Sequence, residues 1–457
     1  NFDKAKSNID SSSSTIPSSV LNSELALKKF VGGSCIGSPT IITCLARSID
    51  PIASSIFIWE ASSTIRTSKI SGSGETIWDK EIGDTLNKVI QNNLIRSGEF
   101  KIFESEKLLS LPNNEEEIVF NDFKILNIDY LVMGEILTEG SNISAEYEVF
   151  DIKKGSKVRT STVYGIPNKN RQLGHYISDG IYEEITGIKG IASTKILYVT
   201  QKEDFNLVIA DADGANEQIL LKSTEPIISP VWSPDSKKVA YVSFETGMAK
   251  VFIQDIASGK REIAIENSSQ ISSPSWSPDG KFLSLTMYQD GNAEIYILNL
   301  KNKNLTRLTN HYSIDTESSW SPRGSKILFT SGRSGSPQLY ELELRRFNSR
   351  PKRLTFDGNY NAKGAYLPNN EGIVFVHRAN TNFQIAIKYF DENFIRPLTE
   401  AQMYESPSIS PNGNVIVYAI KDDGMSLLAG VTLSGAKFRL PAKMGFVREP
   451  AWSGFLR

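Results

Sequence analysis

Trp276-Ser-Pro-Asp-Gly-Lys-Phe-Leu-Ser-Leu-Thr286 is the stretch that decides the fold. An aromatic residue ends one strand, a Ser-Pro-Asp-Gly turn reverses the chain, and an alternating strand begins at Phe282. Pro sets φ for the turn and Gly accepts the positive φ that completes it. The phrase recurs as Trp232-Ser-Pro-Asp-Ser, Trp320-Ser-Pro-Arg-Gly, Tyr366-Leu-Pro-Asn-Asn and Ile409-Ser-Pro-Asn-Gly, with a clipped sixth, Trp452-Ser-Gly454. Their first residues lie 44, 44, 46, 43 and 43 positions apart. A period in the forties with several short strands per unit predicts a β-propeller, one four-stranded sheet per repeat.

The clipped phrase has no strand after it. Lys195-Ile-Leu-Tyr-Val-Thr200, followed by apolar runs at Asn206–Ala210 and Gln218–Leu221, reads as a blade that lacks its opening phrase. Joined, the two fragments make one blade. The expectation is therefore an all-β six-bladed β-propeller over 191–457 with a split closing blade, an arrangement that leaves no free strand edge at the seam.

Upstream the texture differs. Ile82, Leu86, Val89/Ile90 and Leu94 recur at helical spacing before Ser97-Gly98, and Leu173, Ile177, Ile181 and Ile185 form a second stripe ending at Gly187. Tyr130–Ile136 and Ile143–Ile152 read as a hairpin across Glu139-Gly-Ser-Asn142. Residues 76–190 are thus expected to form a small α/β domain, a small sheet with two helices. Residues 1–75 are Ser-rich, lack sustained periodicity and receive no fold.

Composition narrows the function. With 457 residues and a formal net charge of -2, no basic face is offered to a nucleic acid. No apolar run is long enough to span a membrane. Cys35, Cys44 and three scattered histidines, His175, His311 and His377, do not make a structural zinc site, and the two cysteines do not fix a redox compartment. His311 and His377 read as hydrogen-bonded surface groups, and the Asp-Gly turns lack the ligand spacing of a calcium loop. No cofactor, dedicated metal site or catalytic residue is expected, an ion in the central channel being the one opening left. An accessory propeller of a peptidase-like enzyme would need a Gly-x-Ser-x-Gly elbow, which the chain lacks. A channel-site hydrolase would need a clustered His and acid constellation, and the sequence offers none.

The Trp-Ser-Pro-Asp-Gly repeat, the α/β segment before it, the helix end Ile181-Tyr-Glu-Glu-Ile-Thr-Gly187 and the terminal Glu449-Pro-Ala-Trp-Ser-Gly454 resemble the TolB family, the periplasmic propellers of the bacterial Tol–Pal envelope system. The resemblance covers about residues 77 to 457. It implies a non-enzymatic, monomeric periplasmic adaptor that binds the lipoprotein Pal, communicates with TolA, and meets the membrane only through its partners. Outer-membrane integrity and cell division are the processes implied. TolB-like proteins also carry an apolar strand before the first helix and an N-terminal segment that engages TolA, and residues 1–75 show no convincing equivalent of either.

Propeller function usually sits where loops converge on one mouth of the channel, and in TolB-like proteins that mouth receives Pal. The matching positions are Gln270 and Ser273 in one blade and Thr316 and Glu317 in the next, with Glu405 and Glu449 at similar places in others. Thr316 and Glu317 pair a hydroxyl with a carboxylate that could meet partner backbone and basic groups. The plainer reading of Glu317 is a solvated loop acid. The repeat-locked tryptophans read as core.

Overall fold

A computed structural model describes residues 54–58 and 77–456, apart from 104–106, 113, 140–141, 167–168, 267–269, 346–348, 380–381, 401–403, 423–424 and 442–444. Cys35, Cys44 and most of the Ser-rich stretch, with any TolA-engaging segment in it, lie outside the described residues.

The first part of the fold is built from β1 (Ser54–Ile58), α1 (Ile77–Ser97), β2 (Phe100–Ile102), α2 (Phe120–Ile125), β3 (Tyr130–Glu139), β4 (Asn142–Asp151), β5 (Ser156–Gly165) and α3 (Asn170–Thr186). The five strands form one sheet in the order β2-β1-β3-β4-β5. Both helical stripes expected from the sequence are used. Leu86, Ile90 and Leu94 of α1 and Leu173, Ile177 and Ile181 of α3 pack on Val132, Ile136, Tyr147 and Val149 of the sheet. Gly174 lets α1 approach α3, since a Cβ there would come within 2.9 Å of Val89 Cγ1. Gly187 ends α3 with φ 71°, and its N–H donates to the Glu183 carbonyl, a left-handed cap.

Two features depart from the sequence reading. Residues 54–58, left without a fold, form the inner strand β1, parallel to both neighbours, with Ile56 opposite Ile102 and Tyr130. Inner parallel strands read as brief continuous apolar runs and not as alternation, so Ile56-Phe57-Ile58 carries no period to detect. The other is α2, a third helix of six residues, too short to show a stripe, which buries Phe123 against Leu131 and Phe150.

The remainder folds into six four-stranded sheets, all antiparallel within themselves. Five are consecutive in sequence. The sixth joins the closing strand (Phe446–Trp452) to β6 (Lys195–Gln201), β7 (Phe205–Asp211) and β8 (Gln218–Ser223). Val447 lies opposite Thr200 and Trp452 opposite Ile196. The first strands of the five consecutive sheets, Ile227–Trp232, Gln270–Trp276, Asp315–Trp320, Tyr360–Tyr366 and Tyr404–Ile409, adjoin one another in order, and the closing strand adjoins both the last and the first.

The serine of the repeat has a task that the sequence reading left to Pro and Gly alone. Ser277 Oγ donates to Asp279 Oδ1 (2.7 Å) and accepts from the Phe282 N–H (3.0 Å), pinning the turn to the strand after it. Ser233 and Ser410 do the same with Asp235 and Asn412. The tryptophans tie sheets together, as expected of core residues. Trp232 Nε1 donates to the Ala451 carbonyl (3.0 Å) and Trp320 Nε1 to the Ser275 carbonyl (3.2 Å).

Trp452 secures the seam. Its ring is buried among Ile196, Val415 and Leu440, and its Nε1 donates to Thr194 Oγ1 (2.8 Å). Lys195 N donates to Ser453 Oγ (3.0 Å) and Ser453 N to the Lys195 carbonyl (2.9 Å). Trp452→Ala is expected to cost about 3–5 kcal/mol, the range for emptying a large aromatic site, read from the urea midpoint. Tyr164→Ala, at a side chain 79% exposed, should shift it by less than about 0.5 kcal/mol. Equal small shifts would mean the closing strand carries little of the stability.

Candidate functional site

Each innermost strand loses register with its neighbour at one point, between residues 228 and 231, 272 and 275, 316 and 319, 362 and 365, 405 and 408, and 448 and 451. At each of these bulges one non-glycine residue takes a left-handed backbone. They are Ser229 (φ 54°), Ser273 (51°), Glu317 (54°), Lys363 (52°), Ser406 (51°) and Glu449 (49°). All six stand three residues before the aromatic or Ile of the repeat. A left-handed backbone costs an ordinary residue about 1–2 kcal/mol, so the surroundings must hold it there, and such strain gathers at functional positions.

The holding contacts run from sheet to sheet. The Glu449 carboxylate accepts from the Ser229 N–H across the seam. The Glu317 carboxylate accepts from the Lys363 N–H (3.1 Å) and from Thr330 Oγ1 (3.0 Å). Lys363 Nζ donates to Ser406 Oγ (2.7 Å), and the Glu317 N–H donates to Thr286 Oγ1 (3.3 Å), which is also 3.3 Å from Thr316 Oγ1. Glu317 is therefore half-buried and doubly bonded, not the solvated loop acid of the plainer reading.

The loops entering these strands are rigidly held. Asp315, fully buried, pairs with Arg333 Nη2 (2.5 Å), whose guanidinium lies over Phe329 and Tyr340. Glu294, also buried, accepts from Arg307 Nη2 (3.0 Å), Thr309 Oγ1 (2.6 Å) and the His311 N–H (2.7 Å). Between these two anchors the chain displays Tyr312, 86% exposed and tilted against the His311 ring, and exposed Ile314. Phe356 is exposed ahead of the strand Tyr360–Tyr366, and Phe446 is exposed as the first residue of the closing strand. His377 is not a surface group. It is buried, its Nδ1 lies 2.7 Å from Asn361 Oδ1, and burial holds its pKa below the usual value.

The residues singled out from sequence distribute around this ring. Ser273, Glu317 and Glu449 are three of the six bulge positions, and Thr316 precedes one of them. Gln270 is exposed at the start of its strand, opposite Tyr288. Glu405 precedes Ser406 and pairs with Ala419 in the strand register. Thr316 and Glu317 are brought together through Thr286, whereas Glu449 faces Ser229 at the seam. Ser229, Lys363 and Ser406 were missed. Counting three residues back from every repeat aromatic would have found them. Among the described residues, the one set of three His or acidic side chains with converging ligand atoms, His175, Asp211 and Asp213, lies away from these bulges.

Comparison with known proteins agrees with this architecture. Residues 182–456 match the family model of the TolB beta propeller domain, and residues 61–158 match that of the TolB amino-terminal domain. The chain is 46% identical over 382 residues to the Tol-Pal system protein TolB of Pseudomonas aeruginosa, covering 82% of this chain and 88% of that protein. It is 44% identical over 381 residues to the protein of the same name from Xanthomonas campestris pv. campestris, covering 81% and 86%. Its structure is similar to the crystal structure of TolB from Acinetobacter baumannii, with a TM-score of 0.78 and 34% identity, covering 88% of this chain and 97% of that one. The chain belongs to the TolB family, the non-enzymatic propeller proteins of the Tol–Pal system.

Proposed function

We propose that the chain is a periplasmic adaptor that receives the lipoprotein Pal at the mouth of a closed, six-bladed propeller, and so supports outer-membrane integrity and cell division. In this reading the six four-stranded sheets are the blades, the α/β domain runs to about residue 190, and the propeller fills 191–457. The observation that carries it is the set of six left-handed bulge residues, five of them joined from sheet to sheet through Glu449–Ser229, Glu317–Lys363 and Lys363–Ser406, and rimmed by exposed Tyr312, Ile314, Phe356 and Phe446. Exposed aromatic residues on loops fixed by buried ion pairs are what a protein-binding surface needs, since little ordering entropy remains to be lost on binding. A site of this kind suits a partner interface of about 1,600 Å². TolA is a second partner in this reading, as the family resemblance implies.

The structure refines which substitutions test it. Removing the Glu317 carboxylate would take the acceptor from Thr330 Oγ1 and one of two acceptors from the Lys363 N–H, at a cost of about 1–3 kcal/mol, mixing stability with binding. Thr316→Arg and Tyr312→Ala are cleaner. Both should weaken binding of the periplasmic part of Pal at least tenfold by calorimetric titration, since a central aromatic contact is worth about 2 kcal/mol or more. For Tyr312→Ala, at an exposed side chain, the melting temperature should stay within about 2 °C, because surface changes seldom exceed ±0.5 kcal/mol. Normal Pal binding by both variants would remove the mouth as the site.

A further inference from the structure

A second polar cluster lies where α3 meets the split sheet. Arg171 of α3 pairs with Asp213, and Lys195 of β6 pairs with Asp211 at the end of β7. Asn216 Nδ2 also donates to Asp211 Oδ2 (2.6 Å), and His175 Nε2 of α3 lies 3.6 Å from the same oxygen. His175, Asp211 and Asp213 are buried, whereas the Arg171 and Lys195 side chains are about one-third exposed. Two carboxylates thus face Arg171 and Lys195, with the Arg96 guanidinium also within electrostatic reach of Asp213. Burial pushes the Asp211 carboxyl up, but the bonds and charges of His175 and Lys195 outweigh it and hold the group well below the usual carboxylate range.

The converging atoms of His175, Asp211 and Asp213 suggest a metal site, but the hydrogen-bond network argues against one. Ser178 Oγ gives its single proton to the Gly174 carbonyl (2.7 Å), so it accepts from Asn93 Nδ2 (3.0 Å). Asn93 Oδ1 in turn accepts from Arg96 (3.3 Å), which fixes the amide orientation. The same Nδ2 faces His175 Nδ1 at 2.9 Å, making that nitrogen an acceptor. The ring proton then sits on Nε2, directed at Asp211, where a metal would need a bare lone pair.

The rest of the joint is built around this cluster. Asp179 of α3 accepts from the Ala192 and Ser193 N–H groups (2.6 and 2.9 Å), anchoring the connection between α3 and β6. Asn414 Nδ2 donates to Tyr182 Oη (3.0 Å), and Asn412 Nδ2 to the Lys189 carbonyl (3.0 Å). Once the carboxylates are buried, losing either cation leaves a charge without its partner, which is far costlier than losing a surface pair.

We propose that Arg171, His175, Lys195, Asp211 and Asp213 form an ion-paired latch that fixes the orientation of the α/β domain on the split sheet, and that opening it frees this domain while the other five sheets stay folded. It works from its solvent-reachable side, where water or another anion can take Arg171 and Lys195 away from carboxylates that cannot follow.

Residue-resolved hydrogen exchange on the full chain tests the latch. In Asp213→Asn the amides of α3, Ala192 and Ser193 should exchange at least tenfold faster, while those of Val242, Leu285 and Phe329 keep their wild-type rates. Arg171→Gln, at the more exposed partner, should give the same pattern in milder form, so the test survives if Asp213→Asn fails to fold. Arg171→Lys should restore most of the protection. Uniformly faster exchange through all sheets would reduce the cluster to a general stabiliser, and unchanged rates would remove it. Added zinc that protects these amides in the unaltered chain would also overturn the proposal, by making His175 a ligand.

Discussion

The pairing of Phe446–Trp452 with Lys195–Gln201 is the constraint on which the rest depends. It joins segments some 250 residues apart, so its entropic cost falls due before its contacts form. What it gains is a partner for the otherwise open edge of β6 and a buried Trp452 bonded to Thr194. The mouth inherits this dependence, because Glu449 of the closing strand holds the Ser229 N–H of the first consecutive sheet. The domain joint inherits it too, since Lys195 and Asp211 belong to the same split sheet. One strand pairing therefore underlies both places where the molecule has something to hold.

At the mouth, scaffold and surface divide the work. The six bulge residues are strained in backbone, and Glu317, Lys363 and Glu449 commit their side chains to the next sheet. In the proposed reading their constancy of place sets the shape of the mouth. Display falls to the loops one step outward, where Tyr312 stands between the buried anchors Glu294 and Asp315. A rigid rim presented by a non-enzymatic family of the Tol–Pal system favours recognition of another protein over chemistry.

Much of this was legible in the sequence, for identifiable reasons. The repeat announces itself because each copy packs a large apolar residue, most often Trp, at the same place and nearly all follow it with a Pro-containing turn, so Trp276, Trp320 and Trp452 recur at nearly constant spacing. The helices α1 and α3 were visible because each buries one face over several turns. Strand β1 was not, since a three-residue apolar run within a Ser-rich stretch has no period, and its partners Phe100–Ile102 and Tyr130–Val132 are distant in sequence. Half of the bulge ring was found through acids and serines that looked functional. Lys363 escaped because its importance lies in φ and in a backbone N–H, neither of which its residue type signals. The latch escaped as well, because Arg171, Asp211 and Asp213 each look like ordinary surface charges until the fold brings α3 onto the split sheet.

The central claim is that partner recognition belongs to the mouth and not to the α/β domain. In-cell photo-crosslinking tests this directly, with a benzophenone amino acid at position 312 of the rim or at position 164 on β5. A covalent adduct with Pal from position 312 and none from position 164 is the expected result. An adduct from 164 with none from 312 would contradict it and move the interface to the α/β domain.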